Sequence, residues 1–180
     1  MTDWNNKEEV LEAVREDGLD LENASEELRA DKEVVQAAIL NDSRALKFVN
    51  RSSLSINVLL EDEEDELDEE LIEIAEEAAY DPDCSIELLE YLQSDHDIWG
   101  LATAVADNPN CTAQLLETMA DEWYDYSVLS AVAENPKCPE ETLVLLSEYE
   151  GNHGEEVRHA VARNPNCPVS LLEVLAKDGG

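Results

Sequence analysis

Basic residues are missing from the middle of this chain. Residues 61–136 contain 24 Asp or Glu side chains and no Lys or Arg, and the 180-residue chain has a net charge of −34. A surface of that sign repels nucleic acid and anionic membranes, and it attracts cations and basic proteins. The sequence therefore predicts no direct binding to nucleic acid or to a membrane. The acidity itself has two interpretations: it serves solubility (a salt-adapted protein included), or it serves a function.

Long apolar runs and aromatic side chains are scarce as well. No apolar run approaches the roughly 18 residues of a membrane-spanning helix. Met1 is followed by Thr2, Asp3 and Trp4 rather than by a basic and then an apolar segment, so we expect no signal peptide and a cytoplasmic protein. Aromatic residues make up 5% of the chain while hydrophobic residues make up 43%, mostly Ala and Leu. That mixture favours stacked helices over β-sheet.

Recognisable catalytic motifs are absent too. The sequence has no Cys-x-x-Cys pair, no P-loop, no serine nucleophile elbow and no paired dinucleotide-binding glycines. His96 and His153 fall in loops 57 residues apart, which makes them a poor catalytic pair. Neither Asp-x-Asp pair, at residues 81–83 and 95–97, continues into an EF-hand loop. We therefore predict that the protein is not an enzyme and has no catalytic residues, no resident cofactor and no dedicated metal site.

What the chain does contain is one short motif repeated four times, with steps of 27, 27 and 29 residues. An aliphatic residue stands ten positions before each Cys and Ala stands five before it, while Leu follows at five and Leu or Met at eight. The copies are Tyr80-Asp81-Pro82-Asp83-Cys84, Asp107-Asn108-Pro109-Asn110-Cys111, Glu134-Asn135-Pro136-Lys137-Cys138 and Arg163-Asn164-Pro165-Asn166-Cys167.

Each position of this motif has a physical reason. The residue before a proline is pushed out of the α region, so the Asp or Asn ends a short helix. Pro139 and Pro168 are expected to start the next helix, because proline is favoured at the first helical position. The leucines that follow at helical spacing form a buried stripe that one copy cannot cover alone, so the copies must stack. The structural positions are Asn108, Pro109, Cys111, Asn135, Pro136, Cys138, Asn164, Pro165 and Cys167.

The fourth copy carries the clearest version of the pattern. It reads Val-Arg-His-Ala-Val-Ala-Arg-Asn-Pro-Asn-Cys-Pro from residue 157, followed by Leu171, Leu172 and Leu175. This pattern resembles the leucine-rich repeat variant family, and the resemblance extends over residues 71–180. It implies an all-α tandem-repeat solenoid, a right-handed superhelix of alternating α- and short 3₁₀ helices. The family unit has about two dozen residues, so the longer copies here are expected to carry extra loop residues.

A second, different repeat lies at the N-terminus. The segment from Lys7 to Val14 matches the segment from Lys32 to Ile39 at an offset of 25, and Asp17 then matches Asp42. This looks like an uncharacterised family of tandem helical repeats, a domain of unknown function, over residues 5–58. The resemblance implies helix pairs and no chemistry.

The domain organisation follows from the two repeats. We expect N-terminal helical repeats over residues 1–58 and four repeats of the leucine-rich variant type over residues 71–180. Residues 59–70 lie between them, and residues 61–70 hold nine acids and one Leu. Such a block either stays solvated as a linker or forms the acidic start of the next helix, which the helix dipole would favour.

The four cysteines are the most reactive residues of the repeat. Neighbouring helical layers lie roughly 8–10 Å apart, whereas a disulfide needs Cα atoms within about 7 Å and a metal needs ligands within about 2.3 Å. We therefore expect buried, inert thiols that act as small apolar groups. An iron–sulfur or metal-carrying repeat protein is the alternative.

Five of the nine aromatic residues lie in or beside the loops that lengthen the repeats. Large aromatic side chains surrounded by charge are typical of protein-binding hot spots, so these residues are candidates for binding a partner. The alternative is that they pack over the helix ends and close the longer repeats. The five are Trp99, Trp123, Tyr124, Tyr126 and Tyr149.

These observations favour a non-enzymatic protein–protein interaction module. Its solenoid would present an acidic, aromatic-rich surface to another protein, and we expect that partner to have a basic surface. A second hypothesis is an acidic mimic of nucleic acid that blocks a DNA-binding protein. Architecture alone does not choose between them, because function depends on sites rather than on folds.

Overall fold

The structure is a computed structural model that describes residues 2–53, 56–60, 69–94 and 98–178. Every regular element in those ranges is a helix, as the all-α prediction requires. Within the same ranges no helix combines the length and the apolar character needed to cross a membrane. The chain divides into two compact units, Met1–Asp95 and His96–Gly180. Most of the acidic block, residues 61–68, lies outside the described residues, so the predicted boundaries at residues 58 and 70 remain predictions.

The first compact unit contains five α-helices and three 3₁₀ helices in the described residues. The helix α4 packs against α2 and against the third 3₁₀ helix, and α5 packs against α4. The first Asn-Pro-x-Cys-type copy, formed by α4 and α5, therefore belongs to this unit. The α-helices are α1 (Lys7–Glu16), α2 (Lys32–Asn41), α3 (Ile56–Leu60), α4 (Glu69–Tyr80) and α5 (Ile86–Leu92), and the 3₁₀ helices are Gly18–Asn23, Leu28–Ala30 and Ser43–Phe48.

The 25-residue repeat is visible in the capping residues of this unit. Asp17 ends α1 in extended conformation, and its carboxylate accepts a hydrogen bond of 3.0 Å from the amide N–H of Leu19. Asp42 ends α2 in the same way and accepts a bond of 3.0 Å from the amide N–H of Arg44. Both carboxylates thus cap the 3₁₀ helix that follows. Each N-terminal copy is an α-helix followed by a 3₁₀ helix.

Backbone hydrogen bonds link the N-terminal copies. The amide N–H of Ser25 donates to the carbonyl of Trp4 over 3.0 Å, and that of Asn50 donates to Arg29 over 2.8 Å, which is the same bond 25 residues later. Gly18 permits a second close approach, because a Cβ at this position would overlap the carbonyl oxygen of Ala38. The side chain of Asn41 adds to these links, because it donates to the carbonyl of Arg15 over 3.0 Å and accepts from the amide N–H of Gly18 over 2.7 Å.

The second compact unit contains six α-helices in the described residues. The helix α8 packs between α6 and α10, and α9 contacts α7, α8 and α10. The apolar columns of the repeat form its core: Leu101, Val128 and Val157 are fully buried on α6, α8 and α10. The six helices are α6 (Trp99–Asp107), α7 (Ala113–Glu122), α8 (Tyr126–Glu134), α9 (Glu140–Ser147), α10 (Gly154–Arg163) and α11 (Val169–Asp178).

The 3₁₀ helices do not lie where the family resemblance places them. Within the described residues from 69 onward every helix is α, and the 3₁₀ helices occur only in the N-terminal repeats. The elements in question, α6, α8 and α10, are nine or ten residues long. Runs of 3₁₀ helix beyond 3–4 residues are uncommon because their hydrogen-bond geometry is poorer. Elements of this length therefore adopt the α form.

The prolines that follow cysteine were predicted to be the first residue of the next helix, but they precede that helix by one residue. Pro139 is the N-cap of α9 rather than its first helical residue, with an extended ψ of 153°, and Pro168 precedes α11 in the same way. Ser85 and Thr112 hold this position in the first two copies, where their hydroxyls accept bonds of 3.3 and 3.2 Å from amide N–H groups of α5 and α7. Proline is also suited to this N-cap position, because its φ of −66° is compatible with the position. The backbone N–H that proline lacks is not needed there.

Candidate functional site

Buried asparagine side chains connect the copies of the second compact unit. The side-chain amide of Asn135 donates to the carbonyl of Ala106 over 2.6 Å and to that of Asn108 over 3.4 Å. One copy later, Asn164 donates to Ala133 over 2.6 Å and to Asn135 over 2.9 Å. The Ala and Asn carbonyls of one copy thus receive the amide of the next. We call this arrangement the asparagine ladder.

The other end of each ladder side chain shapes its own turn. The side-chain oxygens of Asn108, Asn135 and Asn164 accept bonds of 2.7 to 2.9 Å from the backbone N–H two residues later. Asp81 accepts the equivalent bond from Asp83 over 2.8 Å. A carboxylate can form this turn, but it has no N–H to donate to a carbonyl. Asparagine is needed only where a copy must also bind the copy before it.

The four cysteines occupy equivalent buried positions, and all four are free thiols. Each sulfur lies 3.8 to 4.0 Å from the backbone carbonyl of the following residue, the N-cap of the next helix. Loss of hydration on burial raises the pKa of Cys84 to about 11 and the pKa of Cys111 and Cys138 to about 12, and it raises that of Cys167 as well. Burial therefore keeps these groups in the neutral thiol form at pH 7.

Groups that would bind a metal do not converge in the described residues. No three His, Cys, Asp or Glu side chains lie together there in a way that suits a metal ion. His153 is exposed beside Glu156, at 3.2 Å, and His159 is exposed on α10. His96, the other loop histidine of the sequence analysis, lies outside the described residues.

The loop between α7 and α8 separates the two neighbouring aromatic candidates. Trp123 is only 3% exposed, so its side chain packs inside and is not available to a partner. This burial favours the alternative of the sequence analysis, in which the ring packs over a helix end, since Trp123 is the C-cap of α7. Tyr124, the next residue, is 81% exposed. Of the candidate aromatic side chains that the structure describes, Tyr124 is the most accessible.

Tyr149 joins the two lengthened loops. Its hydroxyl donates to the backbone carbonyl of Tyr124 over 2.8 Å. The backbone carbonyl of Tyr149 accepts a bond of 3.0 Å from the guanidinium of Arg158. Side chains at Gly151 and Gly154 would overlap the ring and the carbonyl of Tyr149, respectively. Tyr149 is half-buried and fixed in place, so it supports the loop that presents Tyr124.

The remaining two aromatic candidates lie at helix starts. Tyr126 begins α8, is half-buried and stacks on the imidazole of His153, with ring centroids 4.4 Å apart. His153 has a left-handed backbone, with φ of 57°, immediately before α10. Trp99 begins α6, but its side chain lies outside the described part of the structure.

Sequence reasoning did not identify three residues that shape this site. Arg158, Gly151 and Gly154 fix the loop around Tyr149. The two glycines within four residues were the available signal, since glycine often marks a close backbone approach. Nothing in the sequence indicated that Arg158 would turn back from α10 towards that loop.

Comparison with protein families supports both repeats. Residues 6–54 match the family described as a domain of unknown function (DUF4116), and residues 155–179 match the leucine rich repeat variant family. No curated protein and no solved structure matches the chain. Both resemblances predicted from the sequence are thereby confirmed for these residues.

Proposed function

We propose that this chain is a non-enzymatic protein–protein interaction module whose C-terminal repeats form a solenoid. Its binding surface is centred on Tyr124 and takes a partner with a basic surface. The single observation that carries the proposal is the exposure of Tyr124, at 81%, on a loop that is held by the Tyr149 hydroxyl. An exposed aromatic ring on a fixed loop can bind at low entropic cost.

The charges around Tyr124 support a basic partner. Asp121 and Glu122 precede it on α7, and Glu148 and Glu150 flank Tyr149 in the next loop; all four are exposed. The bond between Tyr149 and Tyr124 brings these two acidic segments together. A cationic surface would approach this site faster and bind with more favourable charge pairing than an acidic one.

Nucleic-acid mimicry receives less support from the described residues. Mimicry requires carboxylates at regular spacing along one face. Glu117 on α7 and Glu173 on α11 share one position of the repeat, but Val144 occupies that position on α9. The carboxylate row is therefore interrupted, and we retain the interaction module as the proposal.

The test is a comparison of four immobilised proteins: the native chain, Tyr124→Ala, Tyr124→Phe and, as a matched control, Tyr80→Ala. Tyr80 is 54% exposed and lies in the other compact unit. Proteins retained from a lysate of the native host are quantified by mass spectrometry, and circular dichroism checks the helix content of each variant. We expect Tyr124→Ala alone to reduce recovery of a basic partner by about tenfold or more. Equal recovery with Tyr124→Ala and Tyr80→Ala would reject this surface.

A further inference from the structure

The basic side chains of the first compact unit differ in whether they form ion pairs. Lys7 forms ion pairs with Asp31 and Glu33 at 2.9 and 3.0 Å. Arg44 pairs with Asp42 at 2.6 Å. Most of the 11 Lys and Arg side chains form no ion pair with a carboxylate of the described residues, but basic groups with a buried N–H that lacks an acceptor are the exception.

Arg29 and Arg51 are two such groups. Both are half-buried. The Nε of Arg29 and the Nη1 of Arg51 are buried and have no hydrogen-bond acceptor among the described residues. Neither guanidinium has a carboxylate of the described residues within ion-pair distance, and Arg51 interacts electrostatically with Glu87 only beyond that distance. A partly dehydrated guanidinium is energetically unfavourable, and an anion bound to its accessible N–H groups would reduce that cost.

The two arginines line one groove of about 470 Å³. Asn50, Ser52 and Ser53 line it as well, and Glu26 is the one carboxylate among the described residues that line it. The backbone bond between Asn50 N–H and the Arg29 carbonyl, one of the links between N-terminal copies, holds its two sides together. The turn is further fixed by a bond of 3.0 Å from Ser53 N–H to the Asn50 carbonyl.

This groove is not a general property of the 25-residue repeat. Arg51 stands where the preceding copy has Glu26, and Arg29 stands where it has Trp4. The two arginines are thus specific to this junction between copies. Repeat architecture alone does not require two positive charges at this place.

We propose that this groove binds a phosphoryl group. A guanidinium presents its N–H groups as a planar fork that matches two phosphate oxygens, and two guanidiniums suit a charge near −2. The hydroxyl of Ser53 offers a further donor beside the guanidinium groups, whereas the hydroxyl of Ser52 already donates to the side-chain oxygen of Asn50 over 2.7 Å. Glu26 lies in the groove without pairing with either arginine, so it does not neutralise their charge. This inference does not depend on the Tyr124 surface, which lies in the other compact unit.

The experiment is a titration of the full ¹⁵N-labelled chain followed by NMR at constant ionic strength. The probes are inorganic phosphate, a short peptide containing phosphoserine, the same peptide unphosphorylated, and acetate. We expect saturable shifts of the amides of residues 50–53 with the phosphorylated probes and weaker, non-saturating shifts with acetate. Tighter binding of the phosphopeptide than of phosphate would identify a phosphorylated side chain as the natural ligand, and the reverse order would identify free phosphate.

Three variants separate recognition from general charge. Arg29→Ala and Arg51→Ala should each weaken phosphate binding by about tenfold or more, the effect of losing a hydrogen bond to a charged group. Arg15→Ala removes the same charge from an exposed site outside the groove and should change binding by no more than about twofold. If an alanine variant does not fold, Arg29→Lys and Arg51→Lys replace it. These variants keep the positive charge but lose the planar pair of N–H donors, so they should still weaken phosphate binding. The absence of saturable shifts, or equal weakening by Arg15→Ala, would overturn the proposal.

Discussion

The links that recur from copy to copy involve different atoms in the two kinds of repeat. In the N-terminal copies the recurring link is between backbone groups, from Ser25 to Trp4 and again from Asn50 to Arg29, while the side chain of Asn41 adds a link to Arg15 and Gly18. In the second compact unit the link is a side chain, the buried amide of Asn135 or Asn164. Almost any residue can provide a backbone N–H, but only a side chain with both a donor and an acceptor can form the asparagine ladder.

This difference explains why one repeat is so much easier to see in the sequence. The N-terminal copies agree mainly in hydrophobic periodicity and in the capping aspartates at residues 17 and 42. The C-terminal copies must place Asn, Pro and Cys at fixed positions, because the turn, the ladder and the thiol contact all lie within five residues. A link that recurs from copy to copy through side chains leaves a motif in the sequence, whereas a recurring backbone link leaves mostly a periodicity.

The strongest test of the comparison is Asn135→Asp. The substitution keeps the shape and the turn but replaces two donated hydrogen bonds with a carboxylate facing the carbonyls of Ala106 and Asn108. We expect the free energy of unfolding to fall by about 3–4 kcal/mol, measured by urea denaturation. Asp81→Asn is the matched control at the same repeat position and should change stability by about 0.5 kcal/mol or less. Similar effects of the two changes would mean that the ladder does not link the copies.

The corresponding test in the N-terminal copies is Gly18→Ala. The added Cβ would collide with the carbonyl of Ala38 in the next copy, so we expect a loss of about 2–3 kcal/mol in the same assay. Ser43 holds the equivalent position 25 residues later, and Ser43→Ala should cost about 0.5 kcal/mol or less. A smaller loss for Gly18→Ala than for Ser43→Ala would contradict the close approach of the two copies.

Alkaline pH should weaken the copies that contain the buried thiols, including the first copy with Cys84. Burial raises the pKa of Cys111 and Cys138 from 9.0 to about 12, so an unfolded chain releases these protons at lower pH than the folded one. Their contribution is fully present below pH 9 and is lost as pH rises from 9 towards 12. At pH 10 the expected loss is about 1 kcal/mol per thiol.

Denaturation at pH 8 and pH 10, with hydrogen exchange to locate the change, measures this effect. The variant Cys138→Ala should be less stable at both pH values but should lose its share of the pH dependence. Equal pH dependence of Cys138→Ala and the native chain would show that this thiol does not titrate as described.

The smallest effect is expected at the N-caps of the outer helices. Thr112→Ala removes the hydroxyl that accepts a bond from Leu115 and should cost about 1 kcal/mol, measured by thermal or urea unfolding. Thr112→Pro copies the residue found at this position in the last two copies and should be tolerated better than alanine. A greater loss with proline would mean that the cap position differs between copies.

The sequence predicts the helical class and the repeat positions because both depend on periodicity. The cysteine column is buried as expected, and so are Leu89, Leu116 and Leu143 of the leucine column. In the last copy the expected burial is incomplete, because Leu172 is half-buried. The second role of asparagine was not predicted, since the residue before proline needs only an extended backbone and a side-chain acceptor. The available signal was the single exception, Asp81, among four otherwise similar copies.

The aromatic site was predicted only in part. Trp123 and Tyr124 are neighbours in a short loop, and hydrophobic periodicity does not determine which of two adjacent loop side chains points inward. The structure buries Trp123 and exposes Tyr124. The lengths of α6, α8 and α10 likewise decided between α- and 3₁₀ geometry, and helix boundaries are hard to infer from residue patterns alone.

The carboxylate of Asp81 also bears on how such an array grows by gene duplication. A copy with asparagine at this position can be duplicated in tandem, because its amide finds the carbonyls of whichever copy precedes it. A duplicated copy with aspartate would bring a negative charge to those carbonyls, so it can stand only at the head of the series. New copies can therefore be added behind the first one by duplicating the Asn-Pro-x-Cys copies, and the head position can keep its own sequence.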